Sequence, residues 1–310
     1  MIGYIARRIL VAIPTLLVII TLAFFMMRFA PGGPFDLERP MPEQTRQNLL
    51  ASYGMDQPVP KQYLDYLVDL AQFDLGPSLK FRDKTVSQII AEGFPVSATV
   101  GLLSMGLAVF IGTILGSIAA LRQNTAVDYG VVGFATVGIV IPPFVVGPIL
   151  ALVIGIYLGW LPSGGLDPRH GMTVERMILP VITLALPQIA IISRLMRASM
   201  IEVIRSNFIR TARAKGLSPF AVISRHALRA AILPLVSYLG PATAALLTGS
   251  IVIEQVFSLP GVGRQFVFAA LQRDYTVVMG VVILYAGLII ALNLIADLLY
   301  AVLNPKVKFD

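Results

Sequence analysis

Long uncharged apolar stretches alternate along the chain with shorter segments that carry nearly all of its charge. A helix needs about 20 apolar residues to cross a bilayer, with some variation in either direction. Six stretches meet this requirement: 9–27, 94–121, 129–166, 177–193, 230–253 and 275–296. A secretory signal is the alternative for the first stretch, but a signal has a shorter apolar region and a small-residue cleavage site. We therefore predict an all-α membrane protein with six transmembrane helices, the first of them retained.

Proline and glycine punctuate several of the predicted spans. The third is too long for one simple helix, and we expect it to kink at Pro142-Pro143 and at Pro148. The fourth is expected to break near Pro180 and Pro187, because proline removes a backbone donor and clashes with the preceding turn. The second carries four glycines that permit close contact with another helix: Gly101, Gly106, Gly112 and Gly116.

The composition agrees with a membrane protein and excludes several other classes. Of the 310 residues, 56% are hydrophobic and 13% are charged, which is too apolar for a soluble domain of this size. Cysteine is absent, which excludes a disulfide framework, a thiolate metal site and a cysteine nucleophile. The net charge of +7 could suggest nucleic acid, but the basic residues lie beside apolar segments. That placement indicates membrane topology and no nucleic-acid partner.

The distribution of charge predicts how the spans are oriented. The 194–229 segment is strongly basic and should lie in the cytoplasm, because Lys and Arg near span ends resist translocation. The 31–93 segment carries nine acidic and six basic residues, which suits the outer face. Within it, 43–52 and 62–73 have helical spacing. Both termini are then cytoplasmic, with Lys306 and Lys308 in the C-terminal tail.

The basic segment also has the punctuation of folded structure. Asn207 is a suitable cap for a short helix over 208–215, and Gly216 is the residue type that ends helices in the left-handed conformation. Ser218 and Pro219 then restart a helix as its cap and first residue. The alternative is an ordinary topogenic loop that faces anionic lipid. A helix stop followed by a capped restart favours a folded cytoplasmic surface. A loop that served only to carry positive charge would need neither the stop nor the restart.

Two stretches of this segment resemble a known family. Phe208-Ile-Arg-Thr-Ala-Arg-Ala-Lys-Gly216 and Arg225-His-Ala-Leu-Arg229 look like the cytoplasmic loop of ABC-importer permeases, in particular of the peptide and nickel branch. The general family pattern is Glu-Ala-Ala, three residues, then Gly. Here Arg210 replaces the acidic first position, and Arg229 stands where the general family has a later proline.

The resemblance extends to nearly the whole chain. The Pro31-Gly-Gly-Pro34 and Asp74-Leu-Gly-Pro-Ser78 sequences are similar to those in the first outer loop of B-type permeases of oligopeptide importers. This implies a type I ABC-importer permease fold with a transmembrane helix in 1–30, a large periplasmic loop over 31–93 and a permease domain over 94–303. It also implies a bacterial inner (plasma) membrane location.

The same resemblance implies a role and a set of partners. The chain would be one permease subunit of an ATP-driven oligopeptide or dipeptide importer and would form half of the translocation path. Its partners would be a second homologous permease, two cytoplasmic ABC ATPase subunits that hold ATP and Mg, and a periplasmic or surface peptide-binding protein. The chain itself is expected to bind no cofactor and to catalyse no reaction.

Two candidate sites follow. The first is an ATPase-coupling loop whose apolar side packs on a partner and whose bases reach acids around the partner's cleft: Phe208, Ile209, Arg210, Thr211, Ala212, Arg213, Lys215 and Gly216. Phe208, Ile209 and Ala212 are expected to form the apolar side. The second is a periplasmic gate in an apolar stretch that cannot be regular helix: Glu254, Leu259, Pro260, Gly261 and Gly263. A plain turn between two helices is the alternative for this second site.

Other functions find little support in the sequence. No P-loop and no His-Glu-x-x-His motif is present, and no metal site is expected, because His170 and His226 fall on opposite sides of the predicted membrane. Ion-coupled transporters bury carboxylates within their spans, whereas Glu254 and Asp297 are expected at span ends. An ion-coupled secondary transporter that works without an ATPase is the alternative function. A membrane-embedded enzyme or receptor scaffold is the third hypothesis.

Overall fold

The computed structural model describes residues 2–35, 42–81, 83–167 and 171–303, and these ranges are helical apart from connections and two isolated β-bridges. The helices are α1 (Ile2–Phe29), α2 (Glu43–Ser52), α3 (Val59–Ala71), α4 (Val86–Leu121), α5 (Ala126–Val140), α6 (Pro143–Leu150), α7 (Val174–Ile204), α8 (Asn207–Ala214), α9 (Pro219–Ala221), α10 (Leu228–Ala231), α11 (Leu233–Gly249), α12 (Ile251–Val256), α13 (Val262–Gln272) and α14 (Tyr275–Leu303). Two π-helical segments follow α6 and α9, at Ala151–Tyr157 and Val222–Ala227. His170, Lys306 and Lys308 lie outside the described residues.

Five described segments are long and apolar enough to cross a bilayer: Leu10–Phe29, Val86–Leu121, Val174–Ile204, Leu233–Val256 and Tyr275–Tyr300. A sixth is formed if Ala126–Val140 and Pro143–Tyr157, which meet at 97°, make up one bent span. The sharp bend falls at Pro142-Pro143, where the sequence predicts a kink. The predicted all-α membrane fold with up to six spans is therefore confirmed.

Some predicted helix boundaries are wrong. Helix α4 begins at Val86, inside the segment expected to be loop, whereas α2 has the predicted bounds. Helix α7 is unbroken through Pro180 and Pro187 and continues to Ile204, well into the basic segment. Each proline removes only one backbone donor, and tight packing around a membrane helix compensates for that loss. Leu179 and Pro180, for example, are both buried.

The described chain forms two compact units. One comprises Ser97–Leu259 together with the chain from Ile289 onward. Within it, a Cβ added at Gly112 would lie 2.8 Å from the Cβ of Ile192, and one added at Gly116 would lie 2.7 Å from that of Met196. The predicted close helix contact is thus confirmed at these glycines, and Gly101 likewise approaches Leu247 on α11. The prediction of close helix contact is wrong at Gly106, where an added Cβ would meet nothing within 4 Å.

The other unit comprises Ile2–Val96 and Pro260–Leu288. In it, α1 packs on α3 through an aromatic cluster that includes Phe24, Tyr63 and Tyr66. The buried carboxylate of Asp274 accepts hydrogen bonds from the Ser78 hydroxyl, from the Leu79 N–H (3.2 Å) and from the Val277 N–H (3.3 Å). One side chain therefore caps the start of α14 and fixes the connection between α3 and α4.

Candidate coupling surface and gate

Helix α8 forms the centre of the basic segment. Its N-cap is Ser206, with extended backbone angles, and Asn207 is the first helical residue. The prediction of Asn207 as the cap is therefore wrong by one position. The Ser206 hydroxyl donates to the carbonyl of Val203 (2.6 Å), in the turn that ends α7, and caps no backbone N–H of α8. This hydrogen bond joins the end of α7 to the start of α8.

Gly216 ends α8 in the left-handed conformation, as the sequence predicts, with φ of +77°. The N–H of Gly216 donates to the carbonyl of Arg213 (3.0 Å), and the N–H of Leu217 donates to that of Ala212 (3.4 Å). These two hydrogen bonds define the Schellman arrangement, which satisfies carbonyls at a helix end. Ser218 then caps the next helix by accepting from the N–H of Ala221 (3.3 Å), with Pro219 in the first helical position. The predicted stop and restart are both confirmed.

The apolar side of α8 differs from the prediction. Ile209 and Ala212 are 0% and 7% exposed, so they pack against this chain and are not free for a partner. Hydrophobic residues at positions i and i+3 lie on one helix face, which explains why these two are buried together. The large apolar side chains that face outward are Phe208, Leu217 and Phe220, at 48%, 40% and 80% exposure.

We define the coupling surface as these three apolar residues and the exposed bases beside them: Phe208, Arg210, Arg213, Lys215, Leu217 and Phe220. Leu217 and Phe220 are absent from the set predicted from sequence. The sequence did contain a signal for them. Both are large apolar residues beside the Ser218-Pro219 restart, in a segment that is otherwise polar and predicted to lie outside the membrane. His226, in the same basic segment, is exposed.

Helix α7, which leads into the coupling surface, is anchored by an ion pair. Arg197 on α7 donates to both carboxylate oxygens of Asp128 on α5, at 2.5 and 2.7 Å, and the backbone N–H of Asn124 donates to the same carboxylate at 2.9 Å. Asp128 is completely buried. Paired in this two-point geometry, Arg197 is a structural residue that fixes α7 against α5 and does not belong to the free bases.

The candidate gate is buried and well ordered by hydrogen bonds. Glu254 on α12 is 1% exposed, and its Oε1 accepts from the hydroxyls of Ser97 and Ser250, both at 2.6 Å. The expectation that Glu254 and Asp297 fall at span ends is confirmed, because they lie two and three residues before the ends of Leu233–Val256 and Tyr275–Tyr300. Asp128, another buried carboxylate, lies in the first turn of α5, just before the predicted 129–166 span, and both Glu254 and Asp128 accept hydrogen bonds from their own chain.

The stretch after α12 contains both a turn and the start of a helix. Ser258 adopts a left-handed φ of +51°, and Leu259, Gly261 and Gly263 are buried. Gly261 caps α13, so the expectation that the stretch cannot be regular helix holds as far as Gly261 and fails beyond it. A Cβ added at Gly93 would lie 3.1 Å from the carbonyl carbon of Gly261. The stretch is thus packed tightly against α4.

Among the described residues, no group of three or more His, Cys, Asp or Glu side chains could hold a metal ion. The residues of the coupling surface are apolar or basic, and the buried carboxylate of Glu254 is engaged by hydroxyls. The described sites offer exposed surface and tight packing, and His226 belongs to neither of them.

The fold and these sites define a polytopic membrane permease. Residues 112–309 match the family of the binding-protein-dependent transport system inner membrane component, and residues 1–101 match the N-terminal region described for the membrane component of such systems. The chain belongs to this family, the permeases of ABC importers, and is a multi-pass inner membrane protein.

Individual relatives cover the whole chain. It is 52% identical to the oligopeptide transport system permease protein OppB of Salmonella typhimurium and 48% identical to that of Haemophilus influenzae, over 309 residues and 100% of both chains in each case. It is 42% identical to the dipeptide transport system permease protein DppB of Bacillus subtilis, over 98% of this chain and 97% of that protein.

A solved structure is also similar. The MetNI methionine ABC transporter, in an inward-facing conformation, matches with a TM-score of 0.56 and 16% identity, over 70% of this chain and 97% of the matched chain. That likeness shows the fold alone, which is the type I ABC-importer permease fold.

Proposed function

We propose that the chain is a permease subunit of an ATP-driven oligopeptide importer, in which it forms half of the translocation path. Its full-length identity of about half to oligopeptide permeases supports this cargo class. The proposal places both termini and the 194–229 segment in the cytoplasm and the 31–93 loop outside, with the permease domain over 94–303. A second permease, two ATPase subunits and a peptide-binding protein would complete the transporter.

The single observation that carries the proposal is the coupling surface. Phe208 and Phe220 are exposed on a segment that the proposed topology puts in the cytoplasm, and the bases Arg210 and Arg213 stand beside them. An exposed apolar patch rimmed by polar groups marks a protein interaction site. The buried Ile209 holds the helix rigidly, so the surface can transmit a movement of an ATPase subunit to the spans.

We further propose that the stretch from Glu254 to Gly263 acts at the periplasmic gate. Two features support this proposal. A tight turn connects α12 to α13, and the buried carboxylate of Glu254, on α12, accepts hydrogen bonds from Ser97 and Ser250. A plain structural turn is the alternative.

The test compares matched changes within the basic segment. Phe208→Ala with Phe220→Ala should lower co-purification of the ATPase subunits at least about tenfold, because aromatic anchors at interfaces often contribute more than about 1 kcal/mol each. Arg210→Gln with Arg213→Gln should weaken it less. The control, Arg225→Gln with Arg229→Gln, removes the same charge from exposed positions off the coupling surface. If the bases serve topology alone, both arginine pairs behave alike and the aromatic pair retains its ATPase, which would refute coupling through this surface.

A further inference from the structure

A cavity of about 310 Å³ lies within the unit formed by Ile2–Val96 and Pro260–Leu288. Its walls come from the end of α1, the connection after α2, one face of α3 and the start of α14. Its volume is at the lower end of ordinary small-molecule sites, which occupy roughly 300 to 1,000 Å³. The proposed coupling and gate do not use it.

Helix α3 presents an unusual polar face to this cavity. Gln62, Asp65, Tyr66 and Asp69 all line it, and their spacing of three and four residues puts them on one side of the helix. On the adjoining side of α3, Tyr63 packs in the aromatic cluster with α1. Packing on the adjoining side therefore fixes the helix that carries these polar groups.

Two polar atoms in this wall are buried without a protein partner. Gln62 is 9% exposed, and its amide nitrogen donates to the carbonyls of Met55 (3.2 Å) and Gln57 (2.6 Å), which leaves its Oε1 with no hydrogen bond among the described residues. The Tyr66 hydroxyl is also buried without a partner there. Burial raises the pKa of Tyr66 to about 12, so the hydroxyl remains protonated and can donate. Buried polar atoms are nearly always satisfied by protein, water or ligand, so these two are able to accept from or donate to a molecule in the cavity.

The cavity is lined by charged side chains of both signs that form no ion pair with each other. Arg28, in the last turn of α1, lines it with the guanidinium 5.5 Å from the centre of the Phe24 ring, and forms no ion pair with a described carboxylate. Asp65 and Asp69 likewise make no side-chain ion pair or hydrogen bond with described residues. Asp74 accepts only from the N–H of Gly76 (2.8 Å). Asp65, Asp69 and Asp74 are exposed to solvent, so the buried polar atoms of Gln62 and Tyr66 are the stronger indication of a binding site.

We propose that this cavity binds a small zwitterion, with its anionic group at Arg28 and its ammonium group at Asp65 and Asp69. The Tyr66 hydroxyl donates to the anionic group, and Gln62 Oε1 accepts from the ammonium. A short free peptide and the headgroup of phosphatidylethanolamine both have this chemistry. Under the proposed topology the cavity lies on the outer side of the membrane, where either can reach it. The site does not require ATPase coupling, so it can be tested independently of that function.

The test uses a single reporter thiol in this cysteine-free chain. Ser52 lines the cavity, so the rate at which a maleimide modifies Ser52→Cys reports occupancy. The full-length protein is placed in nanodiscs of phosphatidylglycerol, which has no cationic headgroup, with or without tri-alanine. A second set of nanodiscs contains phosphatidylethanolamine and no peptide. Binding of radiolabelled tri-alanine to the chain with native Ser52 gives a measurement that does not depend on the thiol.

Occupancy should slow the modification several-fold, and N-acetylated tri-alanine amide, which lacks both charges, should give no protection. Arg28→Gln and Asp69→Asn should each weaken binding about tenfold, the equivalent of one charged hydrogen bond. Lys61→Gln, an exposed α3 position that does not line the cavity, should change nothing. Protection by tri-alanine alone identifies a peptide site, and protection by phosphatidylethanolamine alone identifies a lipid site. No protection by either, or protection that survives both Arg28→Gln and Asp69→Asn, overturns the proposal.

Discussion

Helices α8 and α12 stop in the same way and lead into opposite environments. Each ends at a left-handed residue, Gly216 at φ +77° and Ser258 at φ +51°. A leucine follows each stop and donates its N–H back to the helix, from Leu217 to Ala212 (3.4 Å) and from Leu259 to Glu254 (2.8 Å). Yet Leu217 is 40% exposed and Leu259 is completely buried. The same local backbone code therefore produces an outward surface in one place and a packed turn in the other.

The difference lies in what surrounds each stop. A Cβ added at Gly216 would meet nothing within 4 Å. The end of α12, in contrast, is covered by the segment before α7, where the N–H of Gly165 donates to the carbonyl of Phe257 (2.7 Å). A non-glycine residue in the left-handed conformation costs roughly 1–2 kcal/mol, so Ser258 needs supporting contacts that the exposed stop does not. Because glycine adopts the left-handed conformation without strain, the Gly216 stop needs no contacts from neighbouring segments to hold the coupling surface in place.

The largest effect is expected where that covering segment meets Phe257. A Cβ added at Gly164 would lie against the carbonyl oxygen of Phe257 and 2.9 Å from its carbonyl carbon, and φ at Gly164 is +152°. Gly164→Ala must therefore displace backbone. We expect it to destabilise the protein by at least about 3 kcal/mol, measured by thermal unfolding of the purified chain.

The neighbouring glycine is a matched control for this change. Gly165 also has a positive φ, but the nearest atom to an added Cβ is 3.8 Å away on Arg176. Gly165→Ala should cost only the backbone strain of about 1–2 kcal/mol. Equal losses in the two variants would mean that backbone contact at Phe257 is unimportant, and the contrast between the two helix stops would lose its explanation.

The sequence predicts the local code well and the environments poorly. Glycine, serine and proline each favour particular backbone angles or capping positions at their own place in the chain. The helix stop at Gly216 and the restart at Ser218 could therefore be predicted. Burial depends on distant residues. Nothing in the local pattern shows that Ile209 and Ala212 face the chain while Phe208 faces outward. The pairing of Asp128 with Arg197 is equally invisible, because each looks like an ordinary charge beside a span.

A smaller effect is expected at the polar contact beneath the packed stop. Glu254→Ala removes the acceptor for the Ser97 and Ser250 hydroxyls, which leaves two buried donors unsatisfied. Each such donor costs about 1–3 kcal/mol, reduced where a hydroxyl can turn to another acceptor, and we expect a net loss of about 2 kcal/mol. Glu254→Gln keeps an oxygen at the same position and should retain most of the stability. Thermal unfolding separates the two variants, and an equally stable Glu254→Ala protein would show that these hydroxyls do not depend on Glu254.

The smallest effect on stability is expected at the open stop, although its consequence for function is large under the proposed coupling. Gly216→Leu meets no neighbouring atom, so its cost is the left-handed backbone alone, about 1–2 kcal/mol. Gly216→Asn should cost less, because asparagine tolerates this conformation.

The strain acts at the turn that orients Leu217 and Phe220, so Gly216→Leu should insert normally but retain less ATPase, with Gly216→Asn close to the wild type. Co-purification of the ATPase subunits, alongside thermal unfolding, measures both consequences. Full ATPase retention by Gly216→Leu, with the expected loss of stability, would mean that the shape of this stop does not control the coupling surface.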